Sequence, residues 1–528
     1  MADKSYEIHP YSIDNLISIL AEKSRACPET VKVKLHRVYF DGYFGTLQAR
    51  TIIVENDYVD RDYLDDYLGY YGSCFTEYDR KCARLHFFSN VINEGEFATF
   101  LSGESAGLVD RLSSSYLGFI VVKPLPQTFI GRTCLKTYDD DGHRRHFPVI
   151  RNYESNLYGM RLHVCSLAFQ EQDHVVSACA TSSLWSIFHG TGILFQHPIL
   201  SPVEITKIAC ESTPLESRFI PNEGLYINQM AQAVRKLDLE PLTVRASDEE
   251  AFKTNLYAYI NCGIPLLLGI ILVDMSRNPG SQLALHAVTI TGYSLGHPRP
   301  QASRTSGLLL RSSQIDKVYV HDDQVGPFSR IISDFQDIRF NSGAGLQVRK
   351  SMGTSHRGEN SRIGSIRAVP EFLLIPLYHK IRIQFSFIRK IVEHFDLVLE
   401  ELKRIGIFHF PERDRLLWDV HLTTVNDFKS EILKTDTLQG DLKHRVLSQS
   451  LPRFLWRAKA YCRTKSIFDF IFDATDIEQA SFLQSAIVYD DGLAREMVSF
   501  ARGVDSTFKN TPAWKIMEWF EKADRIML

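Results

Sequence analysis

The chain has 528 residues, too many for one ordinary hydrophobic core, so two or three domains are expected. Its 60 basic and 63 acidic residues nearly balance at a net charge of −3, which gives no electrostatic footprint for nucleic acid or an anionic membrane surface. The composition, 44% apolar and 23% charged, is that of a soluble globular protein and excludes a fibrous or low-complexity chain.

The nine cysteines are scattered, odd in number and without a C-x-x-C pair. Reduced thiols in a cytoplasmic setting are therefore expected, not a disulfide framework or a zinc ribbon. The opening MADKSYEIHPYSIDN lacks the basic-then-apolar pattern of a secretory signal. The most apolar run, IPLLLGIILV from Ile264 to Val273, is too short for a bilayer that needs about 20 residues. It reads as a buried strand, and no membrane association is expected.

Residues 1–160 read as a mixed α/β domain of no recognisable type. VKVKLHRVYF alternates with strand period and TLQARTIIVEN predicts another strand. The long aromatic stretch from Asp60 to Ile92 predicts one or two helices. YLGFIVVKPLPQ is a β-rich run ended by Pro124 and Pro126, and YDDDGHRRHF is a charged turn.

Residues 161–376 place helices first and strands later. Helices are predicted at Cys179, in SPVEITKIACE, in NEGLYINQMAQAVRKLDLE and in EEAFKTNLYAYINCG; strands follow in IPLLLGIILVD, HAVTITGYSLG, KVYVHDDQ and EFLLIPLYHKIRI. Two polar inserts, GHPRPQASRTSG and MGTSHRGENSRIGS, read as surface loops. Residues 377–528 form a C-terminal extension, opened by an amphipathic helix that Gly406 closes. In it LLWDVHLTTV and SIFDFIFDATDI read as strands, DFKSEILK and SLPRFLWRAKAYC as helices.

The chemistry-bearing stretch is SACATSSLWSIFHG, residues 177–190. Ser177 is a good N-cap, and Leu184, Ile187 and Phe188 form an apolar stripe one turn later. Cys179 then falls in the first helical turn, where free N–H groups and the helix dipole favour a thiolate. The bland alternative is a packed thiol. His286 opens the strand HAVTITGYS beside a polar loop, a position that suits a general base. In KVYVHDDQVGPF the strand period turns His321 away from Asp322. Asp322 or Asp323 ends that strand where a carboxylate can orient His286, and Asp322 is favoured.

Taken in order, Cys179, CGIPLLLGI, LHAVTITGYS and VYVHDD resemble the papain-like cysteine peptidase superfamily, in particular its bacteriocin-processing and related bacterial branches. The resemblance spans about 165–375. It implies an α+β fold with a papain-like core: a helical lobe whose central helix starts at the cysteine, and an antiparallel β lobe carrying the histidine and the acid. The N-terminal α/β domain and the C-terminal α/β extension flank that core. The family also places a glutamine six residues before the cysteine as an oxyanion donor. Here Asp173 stands at that position and Gln172 one residue further out, so Gln172 is the candidate.

The function implied is a cysteine hydrolase, a peptidase or isopeptidase working through a thioester, with a protein or peptide substrate and no cofactor or metal. Acyl transfer or transglutaminase-like chemistry would use the same three residues. The alternative of another class is an inactive papain-like scaffold that binds protein partners through its flanking domains. A metal centre on His286, His321 and Asp322 has the right ligand types but the wrong strand faces.

Overall fold

The computed structural model describes residues 5–522 apart from 104–105, 174, 176–177, 212–223, 297–298, 357–364, 409–413, 437, 439 and 478–481. The fold is mixed α+β. Two compact units emerge: one of Met1–Ser247, Gly263–Ser294 and Lys317–Pro376, the other of Asp248–Cys262, Leu295–Asp316 and Leu377–Leu528. The first takes in residues on both sides of the boundary expected at 160. No helix among the described residues is long and apolar enough to cross a membrane.

The first unit opens with an antiparallel sheet of β1 (Tyr6–Pro10), β2 (Thr51–Tyr58), β3 (Cys82–Phe88), β4 (Tyr116–Val122) and β5 (Ile130–Leu135), in that order. The expected strand VKVKLHRVYF is instead helical, in Pro28–Val33 and Leu35–Thr46. Pro28 occupies the first helical turn, where a missing N–H is harmless. Burial then falls at His36, Phe40, Tyr43 and Phe44, a helical spacing, and the Phe44 ring stacks on Phe87 of β3 at 4.2 Å. The aromatic stretch after Asp60 is helical over Arg61–Gly69 and in a single 3-10 turn, Tyr71–Ser73. From Cys82 it is a central strand, and a strand buried along its whole length shows no alternation to betray it.

A short strand β6 (Arg145–His146) and the hairpin β7 (Arg151–Leu157) and β8 (Met160–Ser166) lead to the helix Cys179–Phe195. Beyond it, β9 (Leu239–Arg245) precedes six long strands: β10 (Leu266–Asp274), β11 (Gly280–Leu295), β13 (Ile315–Asp322), β14 (Gly326–Ser342), β15 (Gly345–Gly353) and β16 (Ile366–Tyr378). These run β10-β11-β13-β14-β15-β16, and β16 pairs back onto β10, so the sheet closes into a six-stranded barrel. β10 is buried along nearly its whole length, because closure covers both faces. At Gly269 the absence of a side chain admits the Phe372 ring of β16 at the closing seam.

In the second unit the tiny strand β12 (Leu309–Leu310) joins β17 (Leu417–Thr424), β18 (Phe454–Cys462), β19 (Lys465–Asp473) and β20 (Leu483–Val488) in one sheet. The expected helix SLPRFLWRAKAYC is strand β18, bonded to β17 and β19 on its two edges. Its Arg457 is buried against Asp469 of β19, with Nη2 to Oδ2 at 2.7 Å. That cross-strand partner lies beyond any local pattern. The amphipathic helix is as expected, Phe385–Arg404, followed by Gly406 at φ 77°.

Candidate functional site

Cys179 is the first residue of its helix, and Ala178 is the N-cap. The expected cap, Ser177, lies outside the described residues. Ala178 has no side-chain acceptor, so the first-turn N–H groups face outward without a side-chain cap. The stretch Ala-Thr-Ser-Ser that follows is fully buried. Its hydroxyls bind the helix to β11: Ser183 Oγ donates to the Ala287 carbonyl at 2.9 Å, and Thr289 Oγ1 donates to the Ser183 carbonyl at 2.8 Å. This reciprocal pair sits one turn beyond Cys179 and one residue beyond His286. It sets the thiol against the imidazole, and nothing in the sequence pattern announced it.

His286 lies in β11 opposite Ile270 of β10, with only 4% of its surface exposed. Its Nε2 donates to Asp322 Oδ1 at 3.1 Å, and the Cys179 side chain is close enough to act on the charge of its ring. With Nε2 committed to the carboxylate, Nδ1 is the nitrogen left for the thiol. Burial opposes a charge on this ring. The Asp322 and Asp323 carboxylates, with the bond to Asp322 and the nearby Cys179 side chain, nonetheless raise its pKa well above the usual imidazole value. Cys179 itself is partly exposed, so the thiol side of the pair is open.

The two candidate acids are separated by geometry. Asp322 ends β13, is 3% exposed and is hydrogen-bonded to His286. Asp323 Oδ1 stands 3.5 Å from His286 Nε2, too long for a good hydrogen bond, and neither of its oxygens finds a donor among the described residues. Their protonation diverges accordingly. Burial works against charge on Asp322, but His356 and His286 hold it well below the usual carboxylate range. Burial pushes Asp323 up to about 7, helped by the Asp322 charge although His286 opposes it.

The turn that carries these acids is buttressed from the N-terminal sheet region. Tyr39, on the helix Leu35–Thr46, donates its hydroxyl to the Pro327 carbonyl. The Tyr39 ring also fills the space where a Cβ on Gly326 would stand, so the chain can close the turn only with glycine.

His321 points away, as the strand period predicts: its Nε2 meets the Leu167 carbonyl at 3.0 Å and its Nδ1 accepts from Phe328 N at 3.1 Å. Burial pushes it down to about 3. Gln172 is half-buried before the helix, and no hydrogen bond among the described residues ties it to Cys179. Its neighbour Asp173 accepts from the Tyr71 hydroxyl and from Val175 N, contacts that hold the approach segment.

His356 is the residue that sequence reasoning missed. The insert MGTSHRGENSRIGS was expected as surface loop, yet His356 is 4% exposed and its Nε2 lies 2.7 Å from Asp322 Oδ2. Residues 357–364 of that insert lie outside the described residues. His286, Asp322 and His356 thus bring three ligand-type atoms within 4.8 Å of one another, a donor set that suits a divalent transition metal. No protein-family model matches this chain, and no curated protein matches its sequence.

Proposed function

We propose that the chain is a cysteine-dependent acyl hydrolase, a peptidase or isopeptidase on a papain-like core, with Cys179 as nucleophile. The observation that carries this reading is the chain of contacts from the Cys179 thiol to His286 and on to Asp322. His286 draws the proton from the thiol, and Asp322 fixes the tautomer and supports the imidazolium. The thiolate adds to a substrate carbonyl, and the first-turn N–H groups of its helix stabilise the oxyanion. His286 then gives its proton to the leaving amine. Water, or an acceptor amine in the acyl-transfer variant, resolves the thioester. A protein or peptide substrate suits the partly exposed thiol, and nine cysteines that form no disulfide suit a reducing, cytoplasmic compartment.

The test is intact-mass labelling with iodoacetamide over a pH series, on wild type, Cys179→Ser and His286→Ala. One thiol should label rapidly below pH 7, vanish in Cys179→Ser and slow sharply in His286→Ala. Labelling of Cys179 no faster than the other eight cysteines would sink the reading.

The convergence of His286, Asp322 and His356 favours a second reading, a metal-assisted hydrolase. A metal would take the nitrogen that His286 offers Asp322 and would leave the thiol contact without a task. Stoichiometric metal that survives dialysis against a weak chelator, with Cys179→Ser still active, selects that reading over the first.

A further inference from the structure

We propose that His356 is a positioning residue of this site: it holds the second oxygen of Asp322 so that the first stays on His286. The inference rests on the cysteine-hydrolase reading for its catalytic meaning, though not for its geometry.

Asp322 has both carboxylate oxygens engaged. Oδ1 accepts from His286 Nε2 and from Gln324 N, each at 3.1 Å, and Oδ2 accepts from His356 Nε2 at 2.7 Å. An ionised carboxylate only accepts, so both imidazoles must carry their proton on Nε2. For His286 that requirement leaves Nδ1 as the lone-pair nitrogen able to take the thiol proton. The two rings also meet edge to face, centroids 5.5 Å apart at 86°, so His356 limits how the His286 ring can turn.

His356 is itself held in place. Its backbone N donates to Thr354 Oγ1 at 2.9 Å, and Ser355 Oγ donates to the Arg330 carbonyl of β14 at 3.0 Å. Without the His356 donor, Oδ2 would be a buried charged oxygen with the Asp323 carboxyl as its neighbour in sequence. The carboxylate would then relax by rotating or by taking up a proton, and either change loosens its hold on His286. An ordinary buried histidine needs only some acceptor; this one uses the carboxylate that orients the proposed base.

The experiment compares wild type with His356→Leu and His356→Gln, reading two signals. The first is the NMR resonance and tautomer of the His286 ring in protein labelled with ¹⁵N-histidine. The second is the alkylation rate of Cys179. In His356→Leu the low-field Nε2–H signal of His286 should disappear, and labelling should slow by about tenfold or more. His356→Gln keeps an N–H donor without the ring, and it should restore the signal and bring labelling to within a few-fold of wild type.

An unchanged His286 signal in His356→Leu, or equal loss in the Leu and Gln variants, overturns the positioning role. The two readings also fail separately. If wild-type Cys179 labels at the rate of a free thiol while the NMR pattern holds, the cysteine chemistry falls and the positioning stands. If labelling is fast but the NMR signal ignores the substitution, the positioning falls and the cysteine chemistry stands.

Discussion

Each unit carries a buried aspartate bonded to histidine, and the two clusters are built to different ends. In the second unit Asp419 accepts from the Tyr257 hydroxyl and from His421 Nδ1, each at 2.9 Å, with Arg311 at 3.5 Å. Burial would raise its pKa, but His421, Arg311 and Tyr257 together hold it far below the usual carboxylate range. There a permanent cation and a phenol share the carboxylate with the imidazole. In the barrel Asp322 meets two imidazoles, and beyond one of them stands a partly exposed cysteine. A carboxylate–imidazole pair is therefore not by itself a signature of catalysis; a cysteine on the far side of the ring is what sets the barrel cluster apart.

The comparison can be broken most directly by changing the same atom in both places. Asp322→Asn should cut Cys179 alkylation by about a thousandfold, since the wrong tautomer of His286 is then favoured. Asp419→Asn should leave alkylation within twofold of wild type and instead lower unfolding stability by ~3 kcal/mol, measured by urea denaturation. Equal effects of the two substitutions on labelling would remove the distinction.

A smaller effect is expected from the hydroxyl link between the Cys179 helix and β11. Ser183→Ala removes one of two reciprocal bonds, so labelling should slow several-fold and stability fall by about 1 kcal/mol. The smallest effect on labelling concerns a buried acid with one oxygen left unbonded among the described residues, Asp62 Oδ2. Burial and the neighbouring Asp60 push its carboxyl up to about 7. The folded state therefore holds this proton more tightly than the unfolded chain does. Its contribution is full below the usual carboxylate range and is lost as pH rises through about 7. Relative to wild type, Asp62→Asn should gain up to ~1.4 kcal/mol per pH unit between pH 5 and 7, read as a melting-temperature difference, with no change in labelling.

The parts of the site that sequence reasoning reached are those with a local signature. A cysteine one turn ahead of an apolar stripe, a histidine at the polar end of an alternating strand and an acid where a strand stops can each be read within a dozen residues. The structure brings Cys179, His286 and Asp322 into one chain of contacts, and it parts Asp322 from Asp323 by distance, which no pattern could do. His356 was out of reach because only barrel closure carries it to Asp322, and its own neighbours spell a polar loop. The misread elements fail for the same reason. β3 and β18 are recognised as strands by their partners on both sides, whereas the aromatic spacing along each segment fits a helix equally well.

The closure of the barrel has a consequence in time. β10 pairs with β16, for instance Leu267 with Leu374, so the seam joins segments far apart in the chain. Such contacts are among the slowest to form, because a long loop must be ordered before they reward it. A growing chain that has already exposed Cys179, His286 and Asp322 still lacks β16 and the ring that steadies Asp322. On the cysteine-hydrolase reading proposed above, the site is complete only once that last strand is in place, and synthesis itself would delay reactivity until then.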